Sequence, residues 1–282
     1  MADRIEDLIA RAAEAVAGAG ALLVGAGAGM GVDSGLPDFR GREGFWRAYP
    51  AARRLGLDFA ELANPRWFRT DPALAWGFYG HRLNLYRETA PHSGFAVLRR
   101  WLDRIPAGGF VYTSNVDGQF QRAGFPSSRI LECHGAIARL QCLTGCGAGL
   151  FEADPRPLAV DPQTLRAAPP LPSCPSCGGL ARPNILMFGD LGWDPSETDA
   201  QQRRFDAWLR PLGGVPLVVV ECGAGTAIPT VRRMCAHVAR ACGGTLIRIN
   251  TREPDVPPGQ IGLAMGAREA LEAIDRRLGP GA

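Results

Sequence analysis

The chain has 282 residues, 46% apolar and 21% charged, a balance that supports a packed core and excludes extensive disorder. Its 36 glycines and 23 prolines follow no G-X-Y period, which excludes collagen, and no apolar run has the ~18 residues of a membrane helix. A net charge of +3 without a basic tract gives no footprint for nucleic acid, so neither a nucleic-acid nor a membrane partner is expected. All 31 basic residues are arginine. Without lysine the chain has no Schiff-base nucleophile, no phosphate-loop lysine and no lysine acylation site. The start, Met1 to Asp7, is acidic and helix-like, a poor signal peptide, and a cytoplasmic location is expected.

Residues 4–18 place Ile5, Leu8, Ile9, Ala12 and Val16 at helical spacing and end at Gly18 and Gly20. Ala21-Leu22-Leu23-Val24 then enters a glycine cluster from Gly25 to Gly35, the strand–loop–helix entry of a dinucleotide-binding unit. Further apolar runs cover Gly109 to Thr113, Pro216 to Val220 and Thr245 to Ile249. They finish at Ser114-Asn115-Val116-Asp117, at Glu221 to Gly225 and at Asn250. Small or polar residues at carboxyl ends mark where an open parallel sheet binds ligands.

Two stretches interrupt this pattern. Residues 44–92, rich in aromatics and arginine, read as a module of helices separated by Pro50, Pro65 and Pro72. Residues 136–183 hold two cysteine pairs around the proline-rich segment from Pro155 to Pro175, which has little periodicity. The predicted architecture is α/β: a Rossmann-like parallel sheet built from 1–43, 93–135 and 184–282, with a smaller inserted module of helices and a zinc ribbon. Cys142, Cys146, Cys174 and Cys177 have the spacing of a tetrahedral zinc site with no open position, hence a structural metal. Cys133, Cys222, Cys235 and Cys242 lie among apolar neighbours and read as inert thiols.

The glycine segment continues as Gly35-Leu36-Pro37-Asp38-Phe39-Arg40. From Gly27 to Arg40 it resembles the sirtuins, the NAD-dependent protein deacylases, whose signature joins a Gly-Ala-Gly loop to Gly-Ile-Pro-x-Phe-Arg. Thr113-Ser114-Asn115-Val116-Asp117-Gly118 echoes their Thr-Gln-Asn-x-Asp-Gly. His134-Gly135, Arg182-Pro183 with Phe188-Gly189, and Ile249-Asn250 match further motifs, so the resemblance runs from about residue 20 to 275. This chain departs at Gly31 (commonly Ser), Ser114 (Gln), Asp190 (often Glu) and Gly223-Ala224-Gly225-Thr226, an altered Gly-Thr-Ser loop.

The resemblance implies that NAD lies against Gly27, Ala28 and Gly29, under Asp38, Phe39 and Arg40. Ser114, Asn115, Asp117, Gly223, Asn250 and Ala267 complete its contacts. His134 is the implied base, taking a proton from a ribose hydroxyl near neutral pH. Asn115 orients the ribose or a water. The implied reaction transfers an acyl group, acetyl or succinyl-type, from a protein lysine to ADP-ribose, with release of nicotinamide. The acyl-lysine peptide enters as a strand between the loop of Phe188 and Gly189 and that of Gly223 to Thr226. Ser114 makes NAD hydrolysis or ADP-ribosyl transfer the leading rival; in a different class, an NAD-binding sensor without turnover stays open. His81, His92 and His237 have no motif around them and read as packing residues.

Tyr79 and Arg82 share one helical face, where phenol and guanidinium can grip a carboxylate. They resemble the Tyr-x-x-Arg of sirtuins that remove succinyl, malonyl or glutaryl groups. The alternative is an amphipathic helix with a packed tyrosine and a snorkelling arginine.

Overall fold

The structure, a computed structural model, describes residues 2–37 and 41–279. The chain opens with α1 (Ala2–Ala17), whose Ile9, Ala12 and Val16 are buried as their spacing predicts, with Ile5 and Leu8 partly buried beside them. It then enters β1 (Ala21–Ala26), buried at every position. A strand covered on both faces needs no polar alternation, so its sequence is a continuous apolar run. The short α2 (Gly29–Val32) follows, and then the helical stretch: α3 (Gly41–Ala48), α4 (Pro50–Arg54), α5 (Phe59–Leu62), α6 (Trp67–Thr70) and α7 (Pro72–Glu88). Pro50 and Pro72 begin helices, where a missing N–H costs nothing.

After α8 (Ser93–Arg104) come β2 (Gly109–Thr113), α9 (Gln119–Arg122) and β3 (Ile130–Glu132). The cysteine-bearing stretch holds β4 (Gly135–Cys142), β5 (Leu150–Glu152), β6 (Val160–Asp161), β7 (Arg166–Ala167) and β8 (Ala181–Ile185). The rest alternates: α10 (Ser196–Leu209), β9 (Leu217–Cys222), α11 (Thr230–Ala241), β10 (Thr245–Ile249), β11 (Ile261–Leu263) and α12 (Ala267–Leu278). Among the described residues no helix is long and apolar enough to cross a membrane.

The main sheet has the order β11-β10-β9-β1-β2-β3, with parallel pairing throughout. Strands β1 to β3 extend to one side, and the chain returns to the other side of β1 for β9 to β11. The order reverses beside β1, which opens a crevice at the carboxyl ends of β1 and β9. One face packs on α1, α8 and α12 through residues such as Val16, Trp101 and Ile274. The other packs on α10 and α11 through Phe205, Trp208 and Val238.

The α/β architecture predicted from sequence is the one observed, with one local difference. The proline-rich segment contains a hairpin of β6 and β7, two residues per strand, too short to leave a periodic trace. This hairpin lies on α7. A Cβ on Gly77 would stand 1.9 Å from the Leu165 carbonyl oxygen, and one on Gly80 3.2 Å from Leu158. Asn84 pairs with both backbone groups of Leu158, at 2.8 and 3.1 Å. Arg166 forks onto Asp71, the residue whose carboxylate caps α7 through the Leu74 N–H. Trp76 Nε1 donates to Ala181 of β8 at 2.9 Å. The third apolar cluster, with Phe45, Phe68, Trp76, Ile137 and Leu165, fills the space between the helices and the cysteine-bearing strands.

In an exposed helix Gly→Ala gains about 1 kcal/mol. At Gly77 the sign should reverse, because the new methyl group meets backbone: Gly77→Ala is expected to cost about 1–3 kcal/mol. Urea unfolding reads this as a lower midpoint. A higher midpoint contradicts the close approach.

Candidate active site

Two glycine turns close the floor of the crevice. Beyond β1, the Gly27 N–H donates to Cys222 and the Gly29 N–H to Gly223, both at 3.0 Å. A Cβ on Gly27 would lie 2.7 Å from Ala224 Cα, and one on Gly223 (φ +63°) 2.4 Å from Gly29. Only glycines allow this approach. Above the turns opens a cavity of about 850 Å³, within the usual range of cofactor sites.

The end of β2 supplies the next wall. Thr113 Oγ1 donates to the Ala26 carbonyl and accepts the Asn115 N–H, both at 3.0 Å. Asn115 Nδ2 donates to the Gly27 carbonyl at 3.0 Å, which fixes the carboxamide's orientation. Asp117 accepts the Gln119 N–H at 2.9 Å. Burial pushes the Asp117 carboxyl up to about 6, helped by nearby Glu132 and opposed by that N–H and by Arg82.

His134 follows β3 and faces the same cavity. Its backbone is held by Leu186 N–H donating to its carbonyl at 3.0 Å, and the preceding Cys133 N–H donates to Thr113 at 2.9 Å. Two residues earlier the buried Glu132 carboxylate accepts from Gln121 (3.0 Å), Gln201 (3.3 Å) and the Arg139 guanidinium. Burial lowers the His134 pKa below its ordinary 6.5, and a hydrogen bond with the Ser114 backbone opposes that shift. Burial thus favours the neutral ring, the form that can accept a proton.

Helix α7 forms a deeper wall. Arg82 is buried, and its Nε and Nη2 donate to the Tyr86 hydroxyl at 3.0 and 2.8 Å. Its guanidinium carbon lies 5.2 Å from the Phe78 ring centroid and 5.7 Å from that of Tyr79. A snorkelling arginine is thereby excluded. The Tyr79 hydroxyl is buried with no hydrogen-bond partner among the described residues.

One cavity thus gathers Gly27, Ala28, Tyr79, Arg82, Ser114, Asn115, Asp117, His134, Phe188, Gly189 and Gly223. Gly29 sits behind the floor at the start of α2. Asn250 is buried outside the lining; its Nδ2 donates to Ala224 at 2.9 Å, and its Oδ1 accepts the Arg252 and Glu253 N–H groups. It shapes the rim. Ala267, the buried first residue of α12, also lies outside the lining. Asp38, Phe39 and Arg40 fall outside the described residues. Sequence reasoning missed Tyr86, although it follows Tyr79 and Arg82 at helical spacing, and missed the rim contact from Thr226 to the Glu253 carboxylate. His92 bonds Met30 and Gly94, and His81 bonds Tyr49, as packing residues do.

The closely approaching glycine turns and the ordered Asn115 amide, at the switch point of the sheet, fit a dinucleotide. The cysteines fit a metal equally well: all four sulfurs lie within 4.8 Å of one another, with Cys142–Cys177 at 3.7 Å and Cys146–Cys174 at 3.6 Å. Zinc–sulfur bonds of about 2.3 Å in a tetrahedron place sulfurs about 3.8 Å apart. Purified protein should therefore contain about one zinc per chain. Cys174→Ser, at a buried ligand, should lower metal content and thermal midpoint together. Metal-free protein that is folded and unchanged by a chelator would refute this.

Residues 27–203 match the model of the Sir2 family. The chain is 33% identical over 255 residues to an NAD-dependent protein deacylase of Aeropyrum pernix, covering 90% of each chain. It is 31% identical over 230 residues to one of Aquifex aeolicus, covering 82% of this chain and 83% of that one. Among solved structures, a Sir2 homolog–NAD complex superposes with a TM-score of 0.68 at 27% identity, covering 95% and 93% of the two chains. With the crevice, the cysteine cluster and these likenesses in agreement, the chain belongs to the Sir2 family, the sirtuins.

Proposed function

We propose that this protein is an NAD-dependent protein-lysine deacylase. The observation that carries the reading is His134 lining one cavity with two interlocked glycine turns. When bound, NAD supplies an activated ribose carbon that accepts the acyl group as nicotinamide leaves. Gly27, Ala28 and Gly223 hold the cofactor by backbone approach, and Ser114, Asn115 and Asp117 border its ribose and nicotinamide. Asp38, Phe39 and Arg40 are assigned to its cover by the motif alone. His134 takes the ribose proton. The side chain of Asn115, anchored by its nitrogen, offers its oxygen to a ribose hydroxyl or to water. The polypeptide runs between the wall of Phe188 and Gly189 and the loop from Gly223 to Thr226.

The finer reading is a preference for acidic acyl groups. The Tyr79 hydroxyl is a buried donor without a hydrogen-bond partner among the described residues, on the same wall as the Arg82 charge. A carboxylate at the end of an acyl chain would accept from both, whereas an acetyl group leaves the hydroxyl unsatisfied.

Nicotinamide release with and without an acyl-lysine peptide tests the activity. Peptide-dependent release is expected; release without peptide would instead mark a glycohydrolase, and none at all a sensor. His134→Ala should lower peptide-dependent release about 10²–10⁴-fold while zinc content stays constant. Protonation disables the base, so the wild-type rate should fall as pH drops through the His134 pKa, with the acid limb below pH 6.5. A limb well above that value assigns the base elsewhere. Arg82→Met should reduce desuccinylation at least tenfold more than deacetylation. Equal losses, or a wild type indifferent to the two groups, remove the acyl assignment and leave the deacylase standing.

A further inference from the structure

Three of the large apolar side chains left exposed by the fold, Leu186, Phe188 and Leu191, sit on one short segment at the cavity mouth. Such a segment gains by folding inward, out of water. A buried ion pair opposes this. Arg182 of β8 donates to Asp190 through Nη1 at 2.9 Å and through Nη2, with side chains 3% and 0% exposed. The same guanidinium donates to the Ile185 carbonyl at 2.9 Å, and the same carboxylate accepts the Met187 and Gly192 N–H groups at 3.3 and 3.1 Å. The two charges thus gather the backbone of 185–192 around themselves, with Gly189 turning at φ +68°.

A desolvated ion pair is a poor source of net stability, since an apolar pair of similar volume often serves as well. What this one supplies is a fixed path for the loop. Its neighbour on the inner side is the Tyr79 end of the cavity: the Arg182 guanidinium lies 6.0 Å from the Phe68 ring centroid, and Phe68 stacks on Tyr79 at 5.8 Å. The cofactor side is built from β1, β2 and β9, which the pair does not touch. The link from Leu186 to the His134 carbonyl belongs to the β4–β8 ladder, where Gly135 pairs with Ile185.

We propose that Arg182 and Asp190 are positioning residues for the polypeptide that carries the acyl-lysine. Their pair holds segment 185–191 upright as the wall along which that polypeptide lies, without touching cofactor or reacting atoms. This rests on the deacylase reading.

The test uses the full chain with NAD and the acyl-lysine peptide that the wild type turns over best, and a fluorescein-labelled copy for anisotropy. Asp190→Asn should raise the peptide KM and Kd about tenfold or more, because one buried charge loses its partner and the loop its path. The KM for NAD and the kcat at saturating peptide should stay within about twofold. Asp190→Glu, which keeps the charge, should recover part of the peptide affinity. Arg182→Met with Asp190→Leu, an apolar replacement expected to fold, should bind peptide as poorly as Asp190→Asn. The inference is overturned if the folded double variant binds peptide normally, or if peptide KM, NAD KM and kcat change together. A wild type that releases no nicotinamide with any acyl peptide overturns the deacylase reading itself, a different result.

Discussion

The rest of the molecule depends on one contact, the backbone approach of the turn after β1 to the turn after β9. Strands in a parallel sheet are spaced by their hydrogen bonds, and side chains normally keep the following turns apart. Here Gly27 and Gly223 remove the obstacle, and two N–H···O bonds lock the turns together. The sheet thereby acquires a solid floor at its topological switch point, with backbone where side chains would otherwise crowd a ligand. Ser114 and Asn115 are hung on that floor through bonds to Ala26 and Gly27, so the β2 end inherits its position from the same glycines.

Two kinds of material surround the floor. The cofactor side is parallel sheet, rigid because each strand is buried between helices. The opposite side is assembled from the helical and cysteine-bearing stretches, short elements that lean on each other through α7. Electrostatics follows this division. Burial lowers the His134 pKa, whereas Asp117 also feels Arg82 from the deeper wall, where four aromatic rings limit access of water.

The sequence exposes those parts whose cause is local. β1, β2, β9 and β10 read as strands because burial on both faces leaves unbroken apolar runs. The metal site reads from thiol spacing, because a tetrahedron of sulfurs on two tight turns dictates it. β3 and β11 have three residues each and no pattern to recognise. The Arg182–Asp190 pair was invisible for another reason: its charges meet only after the chain has turned at Gly189. Asn250 illustrates a third case. Its position at a strand end was legible, but its amide is spent on Ala224 and the rim backbone, a partner that only the folded sheet brings near. Arg82 was placed correctly on the face of Tyr79, yet its bond to Tyr86 depends on the whole helix being buried.

Helix α7 has two stripes of the same spacing, offset by two residues. Tyr79, Arg82 and Tyr86 face the cavity, while Gly77, Gly80 and Asn84 face the β6–β7 hairpin. The stripes are under opposite kinds of constraint. The hairpin stripe tolerates only what fits against backbone, whatever group the enzyme removes. On the acidic-acyl reading proposed above, the cavity stripe meets the variable end of the substrate, and the group removed sets what it must fit. Divergence among descendants of such a chain should therefore concentrate at 79, 82 and 86 and spare 77, 80 and 84, letting acyl choice drift while the scaffold stands still.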